Sequence, residues 1–66
     1  MQRGNTLKKT RLSRFMTQEE IYLKSRRKIS SSRLSKIERG VVIPNKQDKR
    51  ILCKIFKMSE AELFED

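Results

Sequence analysis

The chain has 66 residues, which is enough for one small domain. A chain of this length buries too little interior to enclose a substrate pocket, and it has no histidine, no Gly-rich phosphate loop and no paired acids in a plausible cleft. We therefore predict that it is not an enzyme. The single cysteine, Cys53, excludes an intramolecular disulfide and, without histidine, a zinc finger. We expect no cofactor, metal or small-molecule ligand, and we interpret Cys53 as a small buried residue.

The formal net charge is +9, from 17 Lys and Arg against 8 Asp and Glu. Residues 1–40 carry all of this excess, whereas acids and bases balance in residues 41–66. Such a segregated positive charge indicates an anionic polymer as partner. No apolar run approaches the roughly 18 residues of a membrane span, and the basic N-terminus lacks the apolar segment of a signal peptide. We therefore expect a cytoplasmic protein that does not bind a membrane.

Capping signatures mark the helix starts. Ser30 and Asn45 are N-cap candidates. Two pairs have the spacing of capping boxes, Thr17 with Glu20 and Ser59 with Glu62. Apolar residues recur at helical spacing after these caps, and no segment alternates long enough to make a strand. The sequence predicts five short helices: Thr6–Arg14, Gln18–Arg26, Ser31–Arg39, Lys46–Lys57 and Glu60–Phe64.

These elements predict an all-α fold in a single domain over residues 1–66. Gly40 lies where the left-handed end of a helix favours glycine, and Val41–Asn45 forms the main loop. The second and third helices, over about residues 18–39, have the order of a helix-turn-helix. That motif presents its second helix to the major groove of DNA.

The predicted helix Ser31–Arg39 has one wholly polar face. At about 100° per residue, five side chains fall within an arc of roughly 140°: Ser31, Ser32, Ser35, Lys36 and Arg39. Short serines let a helix backbone approach base edges, where a hydroxyl both donates and accepts hydrogen bonds. We expect Ser31, Ser32, Ser35 and Lys36 to read bases in double-stranded DNA. The alternative is an ordinary solvated helix face.

Polar residues around this helix are candidates for contact with the DNA backbone. Arg26, Arg27 and Lys28 make the joint between the two helices strongly cationic, and amides at the helix start near Ser30 favour a phosphate oxygen. The candidate backbone contacts are Gln18, Arg26, Arg27, Lys28, Ser30, Arg33, Arg39 and Lys46. The alternative for the cations is a solvated surface that adds attraction only at long range.

Three segments and a proline carry a family resemblance: residues 16–21 (MTQEEI), residues 29–40 (ISSSRLSKIERG), Pro44 and residues 62–64 (ELF). In this combination the chain resembles, over about residues 7–64, the Cro/CI-type helix-turn-helix family, also called the XRE family. The resemblance implies a compact five-helix, lambda-repressor-like DNA-binding domain. It further implies a sequence-specific transcriptional regulator, usually a repressor, that binds its operator as a homodimer.

The resemblance also implies roles for individual residues. Family members contact DNA through the first residue of the second helix and through the first, second and sixth positions of the recognition helix, which here are Gln18, Ser31, Ser32 and Lys36. They pair an arginine of the first helix with a glutamate of the third, here Arg11 with Glu38, as a structural ion pair.

Three features depart from the family pattern. The joint between the second and third helices is about two residues longer than usual. Tyr22 replaces a small residue, and Phe15 replaces a common glycine. We expect Tyr22 to pack against the shifted turn.

Two other functions stay open. A nucleic-acid binder of low specificity uses the same charge, although RNA readers usually stack bases on exposed aromatic side chains. We expect the aromatic residues here to lie largely in the core, namely Phe15, Tyr22, Phe56 and Phe64. An antitoxin-like interaction module needs an extra segment for its protein partner, and only six residues follow Glu60.

The C-terminal edge of the fold is the candidate dimer interface. A short chain leaves part of an apolar edge uncovered, and such an edge favours self-association. We expect Met58, Leu63 and Phe64 to take part. A buried intramolecular core is the alternative for these side chains.

Overall fold

The computed structural model describes residues 5–64 and contains, over that range, five helices and no strand. The helices are α1 Asn5–Ser13, α2 Gln18–Lys24, α3 Ser31–Glu38, α4 Lys46–Phe56 and α5 Glu60–Phe64. The prediction of an all-α fold is therefore confirmed. None of the helices in this range has the length and apolar content needed to cross a lipid bilayer.

Helices α2, α3, α4 and α5 begin at the residues predicted from the sequence, because side chains cap their first turns. Thr17 Oγ1 accepts a hydrogen bond from the amide of Glu20 at 3.1 Å, and Glu20 Oε1 accepts one from the amide of Thr17 at 3.0 Å. Ser30 Oγ accepts from the amide of Arg33 at 3.1 Å. Reciprocal bonds also join Asn45 with Asp48 and Ser59 with Glu62.

The helix ends differ from the sequence prediction, because α1, α2, α3 and α4 each stop one or two residues earlier. Each is followed by a residue in the left-handed region: Phe15 at φ 56°, Arg26 at φ 59°, Gly40 at φ 78° and Lys57 at φ 56°. The next amide then bonds back to the last turn, as Met16 N does to the Arg11 carbonyl at 3.1 Å. Only one of these four positions is glycine, so three helix ends carry no glycine signal in the sequence.

Eight apolar side chains form the core, and all are at most 1% exposed: Leu7, Ile21, Ile29, Leu34, Ile37, Leu52, Phe56 and Leu63. Each helix contributes at least one of them at helical spacing, as α4 does with Leu52 and Phe56. Around this core α2 packs against α3, α1 packs against α3 and α5, and α4 packs against α5. The radius of gyration is 10.3 Å, close to the value of about 11 Å that this chain length gives for a compact fold.

Three burial expectations need correction. Leu63 has no exposed surface and belongs to the core, so it cannot form part of a dimer interface while α5 stays folded. Phe15 is 92% exposed, because its left-handed backbone turns the side chain away from the core. Cys53 is half-buried rather than buried, and burial raises the pKa of its thiol. Met58 and Phe64 are half-buried.

The connection from α2 to α3 is organised by the hydroxyl of Ser25, a residue that is only 3% exposed. Ser25 Oγ donates to the carbonyl of Tyr22 at 2.7 Å and accepts from the amide of Ile29 at 3.1 Å. Between these points, Arg26 and Arg27 both have a left-handed backbone conformation, which costs about 1–2 kcal/mol for each residue with a Cβ atom. Ser25 thus anchors both ends of a strained turn immediately before α3.

Replacing Ser25 by alanine is expected to lower the free energy of unfolding by about 1–3 kcal/mol, because the buried Ile29 amide loses its acceptor. Urea denaturation followed by circular dichroism measures this change. Ser13→Ala is the matched control, since Ser13 Oγ also donates to a carbonyl three residues earlier, that of Thr10 at 2.8 Å, but at the surface. Equal stability losses in the two variants would contradict the anchoring role of Ser25.

Candidate nucleic-acid interface

Helix α3 divides into a buried face and a solvent face. Leu34, Ile37 and Glu38 are buried. The side chains expected to face DNA lie on the other side of the helix: Ser31, Ser32, Lys36 and Arg39 are exposed, and Ser35 is half-buried. Arg39 follows the last residue of α3 but keeps a right-handed helical backbone, at φ −86° and ψ −3°, and so continues the same face.

The polar groups of this face are not used within the described part of the chain. None of the side chains of Ser31, Ser32, Ser35, Lys36 and Arg39 forms a hydrogen bond or an ion pair with another residue in 5–64. Three hydroxyls, one ammonium and one guanidinium are therefore free to bind a partner. The short serines also leave the α3 backbone open to close approach, as a helix that enters the major groove requires.

A buried ion pair positions α3 from behind. Arg11 Nε donates to Glu38 Oε2 at 2.7 Å, and Arg11 Nη2 donates to Glu38 Oε1 at 3.1 Å. The side chains are 8% and 2% exposed. Arg11 Nη1 also donates to the carbonyl of Met16 at 2.8 Å. One guanidinium thus joins α1, the α1–α2 connection and α3, with the two-point geometry that makes arginine–carboxylate pairs specific.

Gln18, the first residue of α2, completes this group. Its Nε2 donates to Glu38 Oε1 at 3.2 Å, and the residue is half-buried. The hydrogen bond links the start of α2 to the end of α3. Gln18 thus has a structural contact in addition to the DNA contact expected for it.

Arg33, another expected backbone contact, already has an intramolecular partner. Its Nη2 donates to Asp48 Oδ2 at 2.6 Å, and its side chain is 37% exposed. The hydrogen bond and the charge of Asp48 raise the pKa of Arg33. The same carboxylate accepts the amide of Asn45 at 3.1 Å, so this ion pair ties α3 to the capped start of α4. A contact of Arg33 with DNA would compete with that tie.

The remaining expected backbone contacts border the solvent face of α3. Arg26, Arg27 and Lys28 are exposed in the connection that leads into α3. Lys46 is exposed at the first position of α4. Ser30 is exposed and caps α3 through its hydroxyl. Cations therefore lie before α3, on it and in the element that follows.

Two apolar side chains next to α3 are exposed. Val41 is 65% exposed and Ile43 is 64% exposed in the loop between α3 and α4. The amides of Val41 and Val42 bond to the carbonyl of Lys36 at 2.9 and 3.3 Å, which holds the loop against the end of α3. Apolar side chains at such a position suit contact with a thymine methyl group. In the sequence, residues 41–43 are three consecutive aliphatic residues, and nothing in this run indicates which of them are exposed.

A second arginine contact also had no sequence signal. Arg14 Nη1 donates to the carbonyl of Phe56 at 2.7 Å, and its guanidinium lies 5.4 Å from the centre of the Phe56 ring. The contact closes the end of α1 onto the end of α4. It is structural and takes Arg14 out of the set of free cations.

Comparison with known proteins adds no family assignment, because no protein-family model, curated protein or solved structure matches the chain. Among the described residues, no group of His, Cys, Asp or Glu side chains could hold a metal ion.

Replacing Glu38 by glutamine is expected to lower the free energy of unfolding by about 3 kcal/mol or more, because the Arg11 guanidinium keeps its burial and loses its counter-charge. Thermal and urea denaturation measure the change. Glu19→Gln, which neutralises an exposed acid of α2, is the control and should change stability by less than about 0.5 kcal/mol.

If Glu38→Gln proves too unstable to measure, a second variant decides the question. Arg11→Met combined with Glu38→Leu removes both charges and should cost less than the single substitution. A Glu38→Gln protein as stable as Glu19→Gln would contradict the positioning role of the ion pair.

Proposed function

We propose that this protein is a sequence-specific, double-stranded DNA-binding transcriptional regulator that inserts α3 into the major groove. The observation that carries the proposal is the solvent face of α3, where five polar side chains have no partner among residues 5–64 while the opposite face is held by the core and by the Arg11–Glu38 pair. A merely solvated helix face does not need this rigid support. Preorganised polar groups on a rigid element are what base recognition needs.

In this proposal the residues of the face have distinct roles. Ser31, Ser32, Ser35 and Lys36 read base edges, with Lys36 donating to guanine acceptors in the manner common in major-groove recognition. Arg39 lies one turn beyond Ser35 and reaches a flanking phosphate.

Phosphate contacts surround the base-reading residues. Arg26, Arg27 and Lys28 bind the DNA backbone on the side where the chain enters α3, and Lys46 binds it on the side of α4. The amides at the start of α3, next to Ser30, favour a phosphate oxygen. The order of α2, turn and α3 supports the proposal that the two helices form a helix-turn-helix unit and that this chain belongs to the Cro/CI-type family.

A homodimer is part of the proposal, because a single short recognition helix reads few base pairs. Two copies related by a two-fold axis read two half-sites of an inverted repeat. Met58 and Phe64 are the remaining interface candidates, since both are half-buried at the α4–α5 corner. Lys49 lies over the Phe64 ring at 5.9 Å and covers part of it.

Selection of bound sequences from a random duplex pool tests the proposal. We expect enrichment of an inverted repeat with half-sites centred about one helical turn apart, roughly 34–36 Å. Binding of the enriched and a scrambled duplex is then titrated at two salt concentrations. Equal, steeply salt-dependent binding to both duplexes would identify a nucleic-acid binder of low specificity instead.

Lys36→Ala separates base reading from simple attraction. Affinity for the enriched duplex is expected to fall by about 1–3 kcal/mol more than affinity for the scrambled duplex. Lys8→Ala removes an exposed cation of α1 and serves as the charge-matched control, which should affect both duplexes alike. An equal loss on both duplexes for Lys36→Ala would make Lys36 a phosphate contact and count against base reading by α3.

A further inference from the structure

A cleft of about 490 Å³ lies between the end of α2, the connection that follows it and α4. We call it the α2–α4 cleft. Ile51 and Ile55 of α4 line its apolar part, and both are half-buried. No residue of α3 lines it. The cleft is therefore distinct from the solvent face proposed to read DNA.

Cations dominate the polar lining of the α2–α4 cleft. Five exposed ones contribute: Lys24, Arg26, Lys28, Arg50 and Lys54. No acidic residue of the described range lines the cleft. None of the five forms an ion pair or a side-chain hydrogen bond with another residue in 5–64, in contrast to Arg33 and Lys49. The described part of the chain thus leaves the positive charge around the cleft uncompensated.

We propose that the α2–α4 cleft is a docking site for an acidic segment of another protein, one that places aliphatic side chains on Ile51 and Ile55 and carboxylates against the surrounding cations. The two properties of the cleft select this occupant. Its charge requires several negative groups, and its half-buried isoleucines gain from apolar contact, which removes their remaining surface from water. An acidic segment with aliphatic residues supplies both.

Charge also argues against two other candidate occupants of the cleft, which are a second copy of this chain and a nucleic-acid backbone. A second copy of this chain carries a net charge of +9, so self-association through a cationic cleft works against mutual repulsion. A nucleic-acid backbone supplies negative charge but places charged phosphates, rather than aliphatic groups, at its surface. An acidic protein segment satisfies the charge without leaving Ile51 and Ile55 in water.

Docking has a consequence for DNA binding that rests on the proposed function. Arg26 and Lys28 line the cleft and also belong to the expected phosphate contacts before α3. An acidic segment that neutralises them would weaken binding to DNA. The cleft would then give the regulator a protein antagonist that need not touch the base-reading face.

The test measures peptide binding without DNA, so it can fail or succeed independently of the proposed function. The probe is a fluorescent peptide of Asp and Glu residues with two leucines four positions apart, compared by fluorescence anisotropy with the same peptide carrying serines instead of leucines. We expect the leucine peptide to bind about tenfold more tightly, since each buried leucine contributes apolar contact. Equal binding of the two peptides would overturn the proposal.

Matched variants locate the site. The cleft variant is Lys24→Gln, Arg50→Gln and Lys54→Gln, which leaves the expected DNA contacts intact. The control variant is Lys8→Gln, Lys9→Gln and Lys57→Gln, which removes the same charge from exposed positions outside the cleft. Circular dichroism verifies that both are folded. The cleft variant is expected to bind the leucine peptide about tenfold more weakly than the control variant.

Three results would overturn the proposal. Equal peptide affinities of the two variants would show a general effect of positive charge. A loss of duplex DNA binding by the cleft variant as large as its loss of peptide binding would make the cleft a nucleic-acid surface. Sedimentation that shows a wild-type dimer, dissociated only by the cleft substitutions, would show that a second copy occupies it.

Discussion

The buried contact between Arg11 and Glu38 is the interaction on which the rest of the structure depends. Three nitrogens of one guanidinium reach the glutamate and the Met16 carbonyl, and Gln18 donates to the same carboxylate, so one polar group sets the relation of α1, α2 and α3. Two buried charges cost desolvation energy that hydrogen bonds must offset. In a core of eight apolar side chains, this directional contact orients α3 in a way that apolar packing, which is non-directional, does not.

The orientation of α3 explains why its two faces differ so strongly. Leu34 and Ile37 hold the helix to the core, Arg33 ties its start to Asp48 of α4, and Glu38 ties its end to α1. Every charged residue of α3 that faces another helix is paired. Lys36 of α3 and Arg39, which follows α3, face solvent and have no partner among residues 5–64. On this helix of eight residues, the charges that pair within the fold are thus separate from the charges that are available to a binding partner.

Charge in the folded protein is distributed differently from charge along the chain. The net charge of +9 belongs to residues 1–40, and residues 41–66 are neutral. Folding nevertheless brings Arg50 and Lys54 of the neutral segment beside Lys24, while the acids Asp48 and Glu60 of that segment pair with Arg33 and Lys49. A count along the sequence therefore overlooks the α2–α4 cleft, because the described acids of the neutral segment, Asp48, Glu60 and Glu62, do not line it.

The sequence by itself determined the helix starts, because caps such as Thr17 and Asn45 form hydrogen bonds with residues three positions away. It also determined the polar face of α3, because helical spacing alone sorts the side chains of that helix. Only the tertiary structure decided the features that depend on contacts between residues distant in the chain. It ended α1, α2 and α4 at non-glycine residues, exposed Phe15 and buried Leu63. It also engaged Arg33 with Asp48 and formed the α2–α4 cleft. These particular contacts join residues that are distant in the chain, and the spacing of residues within one helix does not specify them.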